Sequence, residues 1–380
     1  MRRPLRFGYT TGACAAAAAK GAALMLRDQC PVEAVELALP AGITATFALR
    51  GQRFDEDSAA CCVVKDAGDD PDVTNGCEVW AEVSLAGDSP FEKQGQSPVI
   101  EGGTGIGRVT KPGLAVPVGD WAINPVPRRM INKAVLEVFA VHASRIMDPG
   151  VFPPPSRLTP RVTISIPDGA ERAKRTLNAR LGIVGGLSIL GTTGIVTPIS
   201  HRAWTDTIDV ALDVALATGC TRVVASTGRS SEAVAEKTLA LPEEAFILMG
   251  DHVGHLGGAC ARRGVRELIV AAQFAKLVKI ACGHPQTHAA VADLDLATVA
   301  EWVRTAGLDA TLIEKLEWAH TARELFLELG PHHPLVTLVA GRAIDRVQEW
   351  APGVRCGVLL AGYAGEAAVT FGKPFEAREP

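Results

Sequence analysis

Four carboxylates, Asp66, Asp69, Asp70 and Asp72, fall within seven residues of the stretch VVKDAGDDPDVTN at 63–75. Like charges this close must be solvated, paired with cations, bonded to backbone N–H groups or turned towards a ligand. Val63 and Val64 suit a strand, Gly68 permits a positive φ and Pro71 fixes a turn, so a polar strand-to-strand turn and a functional loop are even readings of these residues alone. Cations gather elsewhere. Arg128 and Arg129 open a helix after AINPVP, where positive charge opposes the helix dipole; an anionic ligand or the acidic turn could hold them there. Lys276 and Lys279, three apart on one helical face, read alone as a solvated basic face. His284 and His288 have a metal-compatible spacing only on a continuous helix, which Gly283 and Pro285 interrupt. His252 and His255 lack an evident carboxylate or thiolate partner. Thr10 and Thr11 start a helix whose first-turn N–H groups could receive a carboxylate or phosphate, although capping alone explains them.

These groups need a frame, and the chain supplies two. Residues 10–27 read as a helix of strong helix formers, and strand-like runs separated by Pro or Gly turns follow from 32 to 83, an α+β beginning. Gly102, Gly103, Gly105 and Gly107 superficially suggest a dinucleotide fingerprint. The residues after them continue extended instead of opening a helix, so a ligand loop and a bulged turn both stay open. The Pro-rich stretch 147–160 is the best boundary. Beyond it strands and helices alternate, which predicts a doubly wound, mostly parallel α/β sheet. Ligands of such sheets bind at the carboxyl ends of the strands, here Asp168, 191–194, 227–231, 250–252 and Gln273. The expected domains are therefore 1–150, α+β with the acidic turn and the Gly-rich loop, and 158–380, Rossmann-like with C-terminal helices.

At 380 residues the chain exceeds one ordinary core, so two domains are the natural expectation. A net charge of −4 gives no reason to expect nucleic acid or an anionic membrane as partner, and an anionic substrate would need a local basic patch. Lys20 and Gly21 interrupt the N-terminal Ala run, which argues against a signal peptide, and no stretch has the length of a membrane span. The nine cysteines are scattered and show no Cys-x-x-Cys spacing, as expected of reduced thiols in the cytoplasm. There is no P-loop and no nucleophile elbow.

Six motifs in order carry a resemblance over most of the chain: GYTTGACAAAAAKGAA at 8–23, VVKDAGDDPDVTNG at 63–76, GGTGIGRVTKPGL at 102–114, AINPVPRRMI at 122–131, GGLSILGTTGIVTPIS at 185–200, and KLVKIACG with TH at 276–283 and 287–288. Together they resemble the cobalt-precorrin-5B C(1)-methyltransferases of anaerobic cobalamin biosynthesis. Ala13 departs from the usual Thr, and Gln286 and Ala289 stand where the family often carries Asn and Ser, which argues against specific roles at 286 and 289. The resemblance implies a ribosomal protein S5 domain 2-like N-terminal domain and S-adenosylmethionine as methyl donor to C1 of a cobalt-bearing tetrapyrrole, giving cobalt-precorrin-6A. No protein-bound metal is expected, since the cobalt belongs to the substrate. It assigns Lys111, Arg128, Arg129, Lys276 and Lys279, with Thr10 and Thr11, to the substrate. Thr227, Gly228 and Ser230, then Gly191, Thr192 and Thr193, go to the donor. Asp69, Asp70 or His288 would serve as base if one is used. The partner is a small tetrapyrrole; a homo-oligomer and transient contacts with other pathway enzymes stay open. The rival readings are a non-catalytic tetrapyrrole-binding or scaffolding protein and, more weakly, a nicotinamide-dependent reductase.

Overall fold

The computed structural model describes residues 5–86, 97–145, 159–319, 321–363 and 369–372. It divides into two compact units, Met1–Ser200 and His201–Pro380. In the first unit the helix Thr11–Asp28 is apolar nearly all round, and fourteen of its residues are buried. Ala both favours the helix and lets neighbours approach closely. The helix packs against the helix Pro125–Arg145 and against the strands Ser58–Val64 and Glu78–Ala86. Those strands belong to a five-stranded sheet in the order Arg50–Phe54, Ser58–Val64, Glu78–Ala86, Thr159–Ser165, Val99–Gly102. All of its pairings are antiparallel except the last.

The strand Thr159–Ser165 corrects the expected boundary. The sequence reading starts a second domain at 158, yet this strand lies between two strands of the first sheet, pairing with Glu78–Ala86 on one side and Val99–Gly102 on the other. Ladder hydrogen bonds therefore tie residues 159–165 to the first unit, and the division falls after Ser200. The Pro-rich residues 146–158 lie outside the described residues.

The Gly-rich stretch is a backbone crossing. Gly103 N–H donates to Ile164 O at 2.7 Å, Ile166 N–H to Thr104 O at 2.9 Å, and Leu187 N–H to Gly105 O at 2.9 Å. Gly105 has φ +73°, and a Cβ there would stand 1.9 Å from Ile166 O. Backbone on both sides leaves no flexible group to move aside. Gly105→Ala is thus expected to destabilise the first unit by about 3 kcal/mol or more, read as a lower urea midpoint. An unchanged midpoint would contradict this packing.

The second unit bears out the α/β reading. Its five-stranded sheet runs Phe246–Leu248, Arg222–Ser226, Glu267–Ala272, Arg355–Leu360, Val369–Phe371, parallel except for the last strand. The strand Glu267–Ala272 is buried throughout, as a strand covered on both faces must be. On one face lie His201–Ala217, Val253–Arg263, Phe274–Ala281 and Pro334–Trp350, with the core centred on Leu212, Leu268, Leu277 and Val339. On the other, Val234 and Ala235 of Arg229–Thr238 cover Val224, Ile269 and Leu359. Among the described residues no helix is long and apolar enough to cross a membrane.

Candidate active site

In the first unit the start of the helix Thr11–Asp28 is built into loop backbone. Thr10 Oγ1 accepts from Ala13 N–H at 3.2 Å. Gly12 N–H donates to Leu190 O at 2.9 Å, and Leu190 N–H donates back to Thr11 Oγ1 at 3.0 Å. The N–H groups of Gly12 and Ala13, which could have received an anion, are satisfied by the protein itself, in line with the capping reading. Capping is the role the structure gives Thr10, and Thr10 and Thr11 are both buried. The loop 191–194 stands here too. It was expected at the end of the doubly wound sheet, but Tyr9 pairs with Ile195, Thr10 N–H donates to Gly194 O, and a Cβ on Gly191 would meet Thr10 Oγ1 at 2.3 Å. Gly191, Thr192 and Thr193 therefore belong to the first unit.

The acidic turn has partners for each carboxylate. Arg6 pairs with Asp66 and donates its backbone N–H to Asp69 Oδ2 at 2.7 Å. Asp70 Oδ1 accepts from Ile199 N–H at 3.0 Å. Asp72 Oδ2 accepts from Lys65 Nζ at 2.6 Å, and its Oδ1 accepts from Thr74 N–H at 2.7 Å and Thr74 Oγ1 at 2.6 Å. Arg172 closes the far side, donating to Val73 O at 2.7 Å and Asn75 O at 3.0 Å. The hydrogen bond from Arg6 is the main reason Asp66 sits below its ordinary value. Burial pushes Asp72 up, but the Lys65 charge and the bonds from Lys65 and Thr74 outweigh it, and the carboxyl ends lower than usual. Arg128 is not the turn's cation, because its guanidinium spans three carbonyls, Ile123 at 2.9 Å, Ile100 at 3.2 Å and Trp121 at 3.4 Å.

Two cavities open on this unit. One, about 250 Å³, is lined by Thr10, Thr11, Lys65, Asp72, Asn178 and Ser188 among others. The other, about 320 Å³, brings Arg129 and Thr192 together with Lys133 over a floor of Leu37, Leu39 and Met130. Lys111 lies apart from both linings, its stem across Gly182 and its Nζ donating to Arg180 O at 3.2 Å.

In the second unit the strand order makes a switch point between Arg222–Ser226 and Glu267–Ala272, whose connections leave in opposite directions. A crevice of that kind is where such sheets bind ligands. Thr227 N–H donates to Ala271 O at 3.1 Å, and Ser231 Oγ accepts from Gly228 N–H at 3.2 Å. Gly228 is extended, and a Cβ there would meet nothing within 4 Å. Among the described residues Ser226 Oγ is buried without a hydrogen-bond partner, and Ser230 is exposed.

The lysines expected to reach substrate are turned inward. Lys276 pairs with Asp251 and donates to Thr287 O at 3.1 Å, while Lys279 donates to the same oxygen at 3.2 Å. Thr287, fully buried, donates to Asp251 Oδ1 at 2.6 Å. Both lysines thus hold the segment that carries His288. Burial and then the Lys276 charge push Lys279 below its ordinary value. His288 is exposed, with Nδ1 accepting from Ala290 N–H at 3.1 Å. His252 stacks edge-on with His201 at 5.5 Å; burial and then that neighbour lower it, which keeps its imidazole neutral at pH 7. His255, read from sequence as partnerless, lies 3.1 Å from Asp209. Among the described residues no group of three or more His, Cys, Asp or Glu could hold a metal ion.

The family model described as CbiD matches residues 1–198, and that of the CbiD C-terminal domain matches 286–370. The chain belongs to the CbiD family. A relative from Citrifermentans bemidjiense, named cobalt-precorrin-5B C(1)-methyltransferase, is 56% identical over 96% of this chain and 98% of its own. One from Geobacter metallireducens with the same name is 54% identical over 95% of this chain and 97% of its own. A crystal structure of a cobalamin biosynthesis protein (cbiD) from Archaeoglobus fulgidus is 26% identical, covering 80% of this chain and 85% of that chain at a TM-score of 0.38. In this CbiD chain, sequence reasoning passes over Lys65 and Ser226, and it names the stretches 250–252 and 287–288 without giving Asp251 or Thr287 a role. Lys65 had a signal, a cation between two valines and an acidic turn; Ser226 has none that stands out locally.

Proposed function

We propose that this chain transfers a methyl group from S-adenosylmethionine to ring carbon C1 of cobalt-precorrin-5B, giving cobalt-precorrin-6A. The observation that carries the reading is identity of 56% across 96% of the chain, spanning both units, with a relative named for that reaction. The switch point of the second unit fits a donor: it combines a buried hydroxyl, Ser226, that has no partner among the described residues, with open space beside Gly228. Thr227, Gly228 and Ser230 would hold it there, at the start of the helix Arg229–Thr238. When bound, S-adenosylmethionine supplies an electrophilic methyl: the C1 electron pair forms the new C–C bond as the C–S bond breaks and its pair stays on sulfur. The protein's task is alignment and exclusion of water. Arg129 and Lys111 present cationic groups to substrate acids, while Arg128, Lys276 and Lys279 act through the backbone they hold; Gly191, Thr192 and Thr193, assigned to the donor from sequence, stand in the first unit, where Thr192 shares the cavity of Arg129. Any proton released from the ring falls to Asp69, Asp70 or His288. All nine cysteines are free thiols, which supports a reducing cytoplasmic setting.

Anaerobic incubation of the pure protein with both substrates should give a corrinoid heavier by one methyl together with an equal amount of S-adenosylhomocysteine. Formation of neither would overturn the assignment.

A further inference from the structure

Lys65 is 2% exposed and is among the largest fully buried side chains of the protein. An ammonium has three donors, and buried donors are almost always satisfied. Among the described residues Lys65 Nζ has one hydrogen-bond acceptor, Asp72 Oδ2 at 2.6 Å. The other oxygen of Asp72, Oδ1, accepts two bonds from Thr74. Lys65 and Asp72 both line the cavity of about 250 Å³, and Arg175, exposed, lines it as well. Lys65 and Asp72 neutralise each other, so what faces the cavity is an ammonium with donors to spare among the described residues and, at the exposed rim, the Arg175 guanidinium.

The rest of the lining describes what would meet it. Thr10, Thr11, Thr176 and Ser188 bring hydroxyls, Asn178 brings an amide, and Leu187, Leu190 and Val196 bring apolar wall. No aromatic ring lines the cavity, so nothing in it stacks on a flat ring. Its volume is below the roughly 300–1,000 Å³ of a site for a whole drug-sized ligand. The space suits one end of a larger molecule. We propose that this cavity receives one carboxylate on a short aliphatic arm, with Lys65 as its buried counter-ion and the leucines and Val196 against its methylenes. The inference rests on the methyltransferase reading for the identity of the molecule, because both an acid arm of the tetrapyrrole and the amino-acid end of the methyl donor carry such a group.

The test uses the full chain with cobyrinic acid, its heptamethyl ester and S-adenosylhomocysteine as probes in calorimetry and hydrogen exchange. In the wild type, a carboxylate-bearing probe should slow amide exchange at 72–76 and 187–190, and esterification of the corrin should abolish that footprint if the arm is the tetrapyrrole's. Lys65→Met combined with Asp72→Asn removes both charges at similar volume, and should weaken the carboxylate-bearing probe by about tenfold to a hundredfold. Ser188→Phe, which fills the cavity and leaves the ion pair intact, should do the same. A loss confined to S-adenosylhomocysteine assigns the arm to the donor, and a loss confined to cobyrinic acid assigns it to the tetrapyrrole; either supports the site. Absence of the footprint with every probe in the wild type, or unchanged affinities in folded variants, overturns it. Methyl transfer without the footprint removes this inference alone, whereas the footprint without methyl transfer removes the enzymatic reading and leaves the site.

Discussion

Asp72→Ala is expected to destabilise the first unit by about 3–5 kcal/mol, because it strips a buried ammonium of its counter-ion. Lys65 is 2% exposed and has no other hydrogen-bond acceptor among the described residues. The same substitution also removes both bonds from Thr74. Replacing the two charges together, Lys65→Met with Asp72→Asn, should recover most of the loss, since an apolar pair of similar volume often serves as well as a buried salt bridge. Hydrogen exchange in the strand Ser58–Val64 reads the difference between single and double variants. The pair also predicts an acid response. The Asp72 carboxyl is lower in the folded chain than its ordinary ~3.9. Its contribution is therefore complete above that value and lost as the pH falls through the folded one. Wild type should lose protection in this strand in that acid window, and the double variant should lose less. Equal stability of wild type and Asp72→Ala at pH 7 would mean that Lys65 is not held as described.

Gly228→Leu should leave the fold intact and weaken S-adenosylhomocysteine binding by about a hundredfold, equivalent to ~2.7 kcal/mol. Its backbone is extended, with φ −174°, a conformation any residue adopts, and the space its side chain would enter is open. A loss of affinity therefore reports occupation of that space by a ligand and not a collapse of the sheet. Circular dichroism and a thermal midpoint close to wild type are expected beside the lost binding. If the variant binds the donor product as tightly as wild type, the donor does not sit at the switch point.

Local chemistry told much of the scaffold and little of the contacts. The helix Thr11–Asp28 was legible from Thr10 and the Ala run, and the parallel sheet from strands that alternate with helices. Both are set by neighbours in sequence. The boundary was not legible, because the strand Thr159–Ser165 takes its place from pairings with strands far away in the chain, and the Pro-rich stretch before it looks the same whichever sheet it leads to. The loop 191–194 reads from sequence as an end of the doubly wound sheet for a related reason: what anchors it is the two-residue ladder of Gly8–Tyr9 with Ile195–Val196, too short to leave a pattern. Charge was the least readable. The acidic turn needed cations, and Arg6 and Lys65 supply them to Asp66 and Asp72, while Arg128, the cation that looked available, is engaged by carbonyl groups. Lys276 and Lys279 shared a helical face as predicted, and that face is turned onto Thr287.

The position of the transferred carbon tests the account most directly. With S-adenosylmethionine labelled with ¹³C in its methyl group and cobalt-precorrin-5B as acceptor, under anaerobic conditions, the product should carry the label as one methyl on ring carbon C1. Label on another carbon, or none on the corrinoid while the protein still binds it, would contradict it.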